Sequence, residues 1–276
     1  MRRPLFVCLV LIAGASCLGP ATAAAAVPDR GVTYAGLTSA HDPIVFTLSR
    51  DGKHLVKMNK VWDAPCTGGG SLRLGGSAKA NLSVDKHGDF GGTSSEGVTL
   101  GPGRTWFLDQ HFKGRVRGHA LSGAWHIDMR RYDATGALAM RCRTTFTFKA
   151  TAAKGRIYGG VTSQDLPVLL RIAPRAGKVR HIDFAWETDC SSGVFFQTRE
   201  RMSNLDIVHG RFGDDRGSSA TTDDGEKLRL EYTVRGALSG ARAAGRLGVR
   251  FTVRESSGKL IDDCKSGRLS YKVSSG

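Results

Sequence analysis

Histidine is the residue type in this sequence whose chemistry is easiest to recognise from spacing, because the neutral imidazole ring is a common zinc ligand. Among the eight histidines, His111, His119 and His126 follow one another closely, and Asp128 shares a predicted strand face with His126. A three-histidine metal site is one interpretation of this group. The spacing does not require the three rings to converge, and exposed histidines on strands explain the same pattern. We therefore predict no metal site and no cofactor.

The residues needed for nucleophilic catalysis do not form a recognisable motif. RGSSA at 216–220 and GTSSEG at 92–97 lack the strand–turn–helix context of a G-x-S-x-G turn. Glycine-rich CTGGGSLRLGG at 66–76 lacks the lysine and the helix of a phosphate-binding loop, and it indicates a flexible hairpin tip. Paired aspartates such as Asp214 and Asp215 are typical of solvated turns. We predict no catalytic residues, and a hydrolase is the less favoured alternative.

The first 26 residues have the order of a secretory signal peptide. Two arginines precede an apolar run, and small residues with several A-x-A sites follow up to Ala26. Lipid attachment at Cys17 is the competing interpretation, although Gly14 stands where such a signal usually has an apolar residue. We expect the mature chain, which has no later membrane-spanning segment, to be secreted and extracellular or associated with the cell envelope.

A tandem duplication accounts for most of the remaining sequence. GVTYAGLTSAHDP begins at Gly31 and GRIYGGVTSQDLP begins at Gly155, and the offset of 124 residues continues through W-x-x-x-C at Trp62 and Trp186. Farther on the offset becomes 122, and sixteen identical pairs occur in the same order. Self-similarity of this length indicates two homologous units. We predict a signal peptide at 1–26, a first β repeat at 27–150 and a second at 151–276, with a linker near 149–157.

Export and duplication together predict two disulfide bonds. Four cysteines remain after the signal peptide, and an even number in an exported chain favours bridges, although four cysteines allow three pairings. Each repeat has one early and one late cysteine, so each repeat can close its own bridge without interlocking with the other. The expected pairs are Cys66–Cys142 and Cys190–Cys264.

Hydrophobic residues alternate with a period of two, which is the pattern of half-buried antiparallel strands. KLRLEYTVRG places Leu228 and Leu230 on one face and Arg229 and Glu231 on the other. We predict an all-β chain of two tandem homologous antiparallel β-meander domains, each a small barrel or a sandwich with seven or eight strands. The strands expected in the first domain lie near 31–38, 43–49, 54–62, 78–83, 104–117, 120–132 and 137–148.

Three motifs give the chain a resemblance to a group of known sequences. They are Y-x-G-x-T-S followed by proline, W-x-x-x-C, and a late G-x-L-x-x-x-C. In these motifs the chain resembles uncharacterised secreted β-repeat proteins common in actinobacteria, over roughly 31–150 and 155–274. The resemblance implies an exported β domain, and no activity, cofactor or site residue accompanies it.

Basic residues and repeated hydroxyl groups are the candidate ligand-binding groups. The formal net charge of +15, which becomes +13 without the two arginines of the signal peptide, favours polyanionic partners, although solubility of exposed strands explains the same bias. The hydroxyl pairs either line a ligand cavity or, in the favoured interpretation, satisfy backbone groups where a strand ends. The residues singled out are Lys113, Arg115, Arg117, Arg141, Arg143, Thr38, Ser39, Thr162 and Ser163.

These observations lead to one functional hypothesis and to an alternative from another class. We expect a non-catalytic exported β protein that binds an anionic polymer of the cell envelope or the extracellular space. Nucleic acid is disfavoured because few aromatic side chains accompany the exposed cations. The alternative is a carrier that holds a small molecule or lipid in a cavity inside the β domains. The sequence leaves the ligand and the oligomeric state open.

Overall fold

The computed structural model describes residues 31–99, 105–175, 177–193 and 195–276, so the predicted signal peptide at 1–26 lies outside the described residues. Within these ranges the chain is all-β, as predicted, and contains no helix long and apolar enough to cross a membrane. The first half contains β1 (Thr33–Thr38), β2 (Pro43–Leu48), β3 (His54–Pro65), β4 (Ser71–Ser83), β5 (Asp89–Thr99), β6 (Thr105–Arg117), β7 (Ala120–Tyr132) and β8 (Leu138–Thr151). The second half contains β9 (Ile157–Thr162), β10 (Pro167–Ile172), β11 (Lys178–Asp189), β12 (Phe195–Asp206), β13 (Arg211–Thr221), β14 (Lys227–Ser239), β15 (Arg242–Arg254) and β16 (Leu260–Ser275).

Each half is one antiparallel sheet in which strands that follow one another in the chain are paired, except for β4 with β5 and β12 with β13. The order β4-β3-β2-β1-β8-β7-β6-β5 of the first sheet recurs in the second as β12-β11-β10-β9-β16-β15-β14-β13. Because the first and last strands of each half pair with each other, each sheet curls into a nearly closed barrel. The barrel remains open between its edge strands, which are β4 and β5 in the first half.

Alternation along the strands determines which side chains fill each barrel. The interior of the first half is packed with aromatic side chains such as Phe46 and Trp125, and that of the second half with Phe184 and Trp186. The two interiors are separate hydrophobic cores, so each half has its own packed centre, as the duplication predicts.

The two predicted disulfides are confirmed. Cys66, just after β3, is bonded to Cys142 on β8, and Cys190, just after β11, is bonded to Cys264 on β16. In each half the bridge joins the end of the third strand to the last strand, across sequence separations of 76 and 74 residues. Each bridge therefore fastens two walls of the same barrel.

The strands β1, β2 and β3 are buried on both faces, because their outer side packs against β9, β10 and β11 of the other half. Val61 shares an apolar cluster there with Leu166 and Ala185. Beside this cluster, Asp42, only 2% exposed, forms an ion pair with Arg199 at 2.6 Å, although the two atoms are not aligned as a hydrogen bond. Burial on both faces thus distinguishes these strands from the half-exposed ones.

Three predictions from the sequence differ from the structure: the start of one strand, the existence of another and the length of the linker. The fourth strand begins at Ser71 rather than near 78, so only the start of the glycine-rich stretch at 66–76 is a turn. A strand over Asp89–Thr99 was not among those placed by the sequence, because DFGGTSSEGVT lacks alternating large apolar residues. The expected linker at 149–157 is shorter, since β8 continues to Thr151 and β9 begins at Ile157.

Candidate anion-binding face

The outer face of β6, β7 and β8 carries the basic residues that the sequence singled out first. Lys113, Arg115 and Arg117 alternate with inward Phe112 and Val116, so all three cations point away from the core. Across β7, the register brings Lys149 of β8 into the same row as Arg115. Four cations from two strands therefore share one surface, and we call Lys113, Arg115, Arg117 and Lys149 the basic trough.

The trough is concave because the strand between its cations carries small residues. Ala120, Ser122 and Ala124 are the outward residues of β7 at this level, and they leave a groove of about 890 Å³ that the basic trough lines. Long side chains on β6 and β8 form its walls. Such a groove holds an elongated anionic ligand between two rows of positive charge.

Most of the charge in the trough is not compensated by the protein. Asp89 on β5 pairs with Arg115, and the hydrogen bond from that guanidinium lowers the pKa of the Asp89 carboxyl. Within the described residues Lys113, Arg117 and Lys149 have no ion pair. Three exposed cations thus remain available to an external anion.

Arg141 and Arg143 lie on a different part of the same face. Strand β7 separates β8 from β6, and Arg143 is four residues along β8 from Thr147, the residue level with Lys113, which is roughly 13 Å. Arg141 donates to Asp128 at 2.9 Å, and this hydrogen bond lowers the pKa of Asp128. Lys113, Arg115 and Arg117 are therefore together, whereas Arg141 and Arg143 lie farther along β8, where Arg141 is paired with Asp128.

Two histidines lie between these regions. His111 and His126 are direct cross-strand partners on β6 and β7, and the Nδ1 atom of His126 lies 2.8 Å from the hydroxyl of Thr145. His119 is in the hairpin turn at the far end of β6, roughly 25 Å of strand from His111. The third ring of the imagined zinc site is thus remote from the other two.

One close group of three potential metal ligands occurs within the described residues, at Cys190, Asp262 and Cys264. Both sulfur atoms belong to the disulfide of the second half, so neither is a thiolate. The Asp262 carboxylate instead accepts hydrogen bonds from Ser191 and Ser192, and these bonds lower its pKa against the opposing effect of burial. Asp262 therefore caps the turn at Ser191 and Ser192, next to the Cys190–Cys264 disulfide.

The repeated hydroxyl pairs bond the backbone. Thr38 accepts from the amide of Asp42 at 3.1 Å, and Ser39 accepts from the amide of Thr147 at 3.2 Å. In the second half Thr162 accepts from the amide of Gln164 and Ser163 from that of Ser270, each at the end of its strand. In both repeats these hydroxyls accept hydrogen bonds from backbone amides at strand ends, which is the interpretation that the sequence favoured.

The second half has a basic face at the equivalent place. Arg235 occupies the position of Lys113, and Lys272, after a one-residue bulge, that of Lys149. Arg246 of β15 stands where β7 has Ala124, so the face is basic without being a trough, and Arg235 pairs with Asp215 at 2.6 Å. Two equivalent faces thus carry cations at matching positions.

Sequence reasoning missed Lys149 and the small residues of β7. Lys149 was assigned to the linker, and the run of Ala120, Ser122 and Ala124 gave no charge signal. The alignment of Lys149 with Lys272, within the final strand of each repeat, was the signal that could have found it.

Comparisons with known proteins add little to this geometry. No family model and no curated protein matches the chain. Among solved structures, the chain is similar to a protein of unknown function from the DUF3598 family of Nostoc punctiforme, at 12% identity over 88% of this chain and 94% of that one. The TM-score of this match is 0.17.

Proposed function

We propose that the protein is a non-catalytic, exported β protein that binds an anionic polymer of the cell envelope or the extracellular space through the basic trough. The observation that carries this proposal is the concave row of cations on β6 and β8, three of them without an ion pair, above a strip of small residues. A chain with regularly spaced negative charges matches this shape. The second half carries cations at matching positions, although Arg235 is paired there with Asp215.

Export is part of the same proposal. The two disulfides are compatible with an oxidising compartment outside the cytoplasm. In that compartment the abundant partners of a basic surface are acidic polysaccharides and phosphate-containing polymers rather than nucleic acids. Electrostatic binding of this kind weakens steeply as salt concentration rises.

Retention of the mature chain on immobilised heparin, measured over a series of salt concentrations, tests the proposal. The triple variant Lys113→Gln, Arg117→Gln, Lys149→Gln should elute at clearly lower salt, and its salt dependence should decrease by up to about one unit of slope for each lost contact. The matched control removes three exposed lysines elsewhere: Lys53, Lys86 and Lys154. Because both variants lose the same net charge, equal elution of the two would contradict a specific site in the trough.

A further inference from the structure

A lysine is buried inside the first barrel. Lys60 lies on β3 between Met58 and Trp62, whose side chains belong to the hydrophobic core, so alternation directs Lys60 inward as well. The residue is only 8% exposed and has no hydrogen bond or ion pair within the part of the chain that the structure describes. An uncompensated amine in an apolar interior opposes folding, so its presence needs another explanation.

The amine rests on an aromatic ring from the opposite wall. Its Nζ atom lies 3.8 Å from the centroid of Trp125, which is stacked between Phe112 and Phe146. Burial lowers the pKa of Lys60 to about 7, while the Glu96 carboxylate of β5 acts weakly in the opposite direction. The amine is thus poised to gain a full charge when an anion approaches.

Open space adjoins the amine. Gly76 of β4 is the cross-strand partner of Lys60, and a Cβ atom added there would meet no atom within 4 Å. Beyond it, the barrel is unpaired between β4 and β5, and inward residues of β4 such as Leu74 and Leu82 are only half-buried. The open space beside Lys60 therefore lies at β4, the strand that borders the gap between the edge strands.

Other polar atoms at inward positions of the first barrel also lack partners. The Nε1 atom of Trp125, a residue only 1% exposed, and the Oε1 atom of Gln110 on β6 are buried without a hydrogen bond. Buried polar groups in proteins are bonded in the great majority of cases. Together with the Lys60 amine, these unpaired groups place polar atoms within the apolar lining of the first barrel.

The second barrel fills the equivalent place with its own side chains. Phe184 stands at the position of Lys60, Glu200 at that of Gly76 and Leu247 at that of Trp125. The aromatic ring of Phe184 is fully buried in that core. The amine and the space beside it are thus features of the first half alone, and the packing of the fold does not require them.

We propose that the first barrel binds an amphiphilic monocarboxylate, with its carboxylate at the Lys60 amine and its hydrocarbon part extending towards the gap between β4 and β5. A single amine matches a single negative charge. The aromatic stack and the leucine and alanine side chains of β4 suit a hydrocarbon chain, and the gap supplies an entrance. This interior site is distinct from the basic trough, so either proposal can fail without the other.

Isothermal titration calorimetry of the mature chain with dodecanoate below its micelle concentration tests this site. We expect binding of one dodecanoate per chain, weakened by about tenfold to a hundredfold in Lys60→Met, because the charged partner of the carboxylate is lost. Lys79→Met, an exposed lysine on the outer face of β4, is the matched control and should bind as the unchanged protein does. Heparin retention should be the same for Lys60→Met and the unchanged protein.

A second ligand and a second variant separate the head group from the cavity. Dodecanol, which has the same chain length and no charge, should bind Lys60→Met and the unchanged protein equally, and Gly76→Leu should abolish binding of both ligands by filling the space. Absence of dodecanoate binding to the unchanged protein would overturn the proposal. Equal dodecanoate affinity of Lys60→Met and the unchanged protein would overturn it as well.

Discussion

Replacing Lys60 by methionine should stabilise the protein, and the gain should depend on pH. Methionine has a similar length and no charge, so the variant keeps the packing of the barrel while removing the buried amine. The folded-state pKa of about 7 lies below the ordinary value of 10.5. Between these values the unfolded chain binds a proton that the folded chain does not, so the stability of the unchanged protein rises with pH across this window.

The magnitude follows from the shift. At 1.36 kcal/mol per pKa unit, burial of the charged amine opposes folding by about 5 kcal/mol below pH 7. We therefore expect Lys60→Met to be more stable than the unchanged protein by about 5 kcal/mol at pH 6. The difference should shrink by about 2.3 kcal/mol between pH 7 and pH 9, because the unfolded chain still binds a proton there that the folded chain releases.

Urea unfolding at pH 6, 7, 8 and 9, with the disulfides intact and tryptophan fluorescence as the signal, measures this difference. Glu96 on β5, Arg131 on β7 and Tyr34 on β1 are the other titratable side chains at inward positions of the first barrel within the described residues. They are present in both proteins, so the difference between the two curves isolates Lys60. A difference that stays constant from pH 6 to pH 9, or a variant that is less stable at pH 6, would refute a buried, uncompensated amine.

Arg199→Leu should lower the free energy of unfolding by about 3 kcal/mol, because it leaves the buried Asp42 carboxylate without its cation. Adding Asp42→Leu should restore most of this loss. Urea unfolding of both variants measures the two effects, and a double variant no more stable than Arg199→Leu would contradict the prediction. Burial raises the pKa of Glu200 to about 7, so the unchanged protein should lose stability as pH rises from 4.5 through 7. The melting temperature of Glu200→Gln should therefore increase relative to that of the unchanged protein between pH 5 and pH 8, and a constant difference would contradict this. Replacing both Cys66 and Cys142 by serine should lower the free energy of unfolding by about 4.5 kcal/mol, the chain entropy of a loop spanning 76 residues, and a denaturant midpoint unchanged from that of the oxidised protein would contradict the estimate.

The sequence predicts the strands wherever side chains alternate between large apolar and charged. KLRLEYTVRG in the second half is such a case, and it forms most of β14. The fifth strand was not predicted because its glycines and serines leave its inward face without large side chains. Backbone pairing with β6, rather than side-chain packing, makes this segment a strand. The pairing of β1 with β8, which closes the barrel, depends on contacts more than 100 residues apart that no local pattern indicates.

In the candidate sites, too, the local sequence predicts the direction of a side chain but not which strands lie side by side. The outward direction of Lys113, Arg115 and Arg117 follows from alternation, but the register of β8 across β7 brings Lys149 level with them and leaves Arg141 and Arg143 farther along the strand. Lys60 looks like an ordinary surface residue in HLVKMNKVW, because a lysine beside an asparagine and close to a second lysine is typical of an exposed segment. Its alignment with a phenylalanine in the other repeat was the available sign that it points inward.

The contact between the halves joins like to like. Strand β1 packs against its counterpart β9 and β2 against β10, and Val61 shares a cluster with Ala185, the residue at its own position in the other repeat. Such a contact is isologous, the type that relates two identical subunits by a two-fold axis. An ancestral single unit presenting this surface would have met the same surface on a second polypeptide. Joining two such copies in one chain would place both sides of that contact in one polypeptide, so its formation would no longer depend on protein concentration.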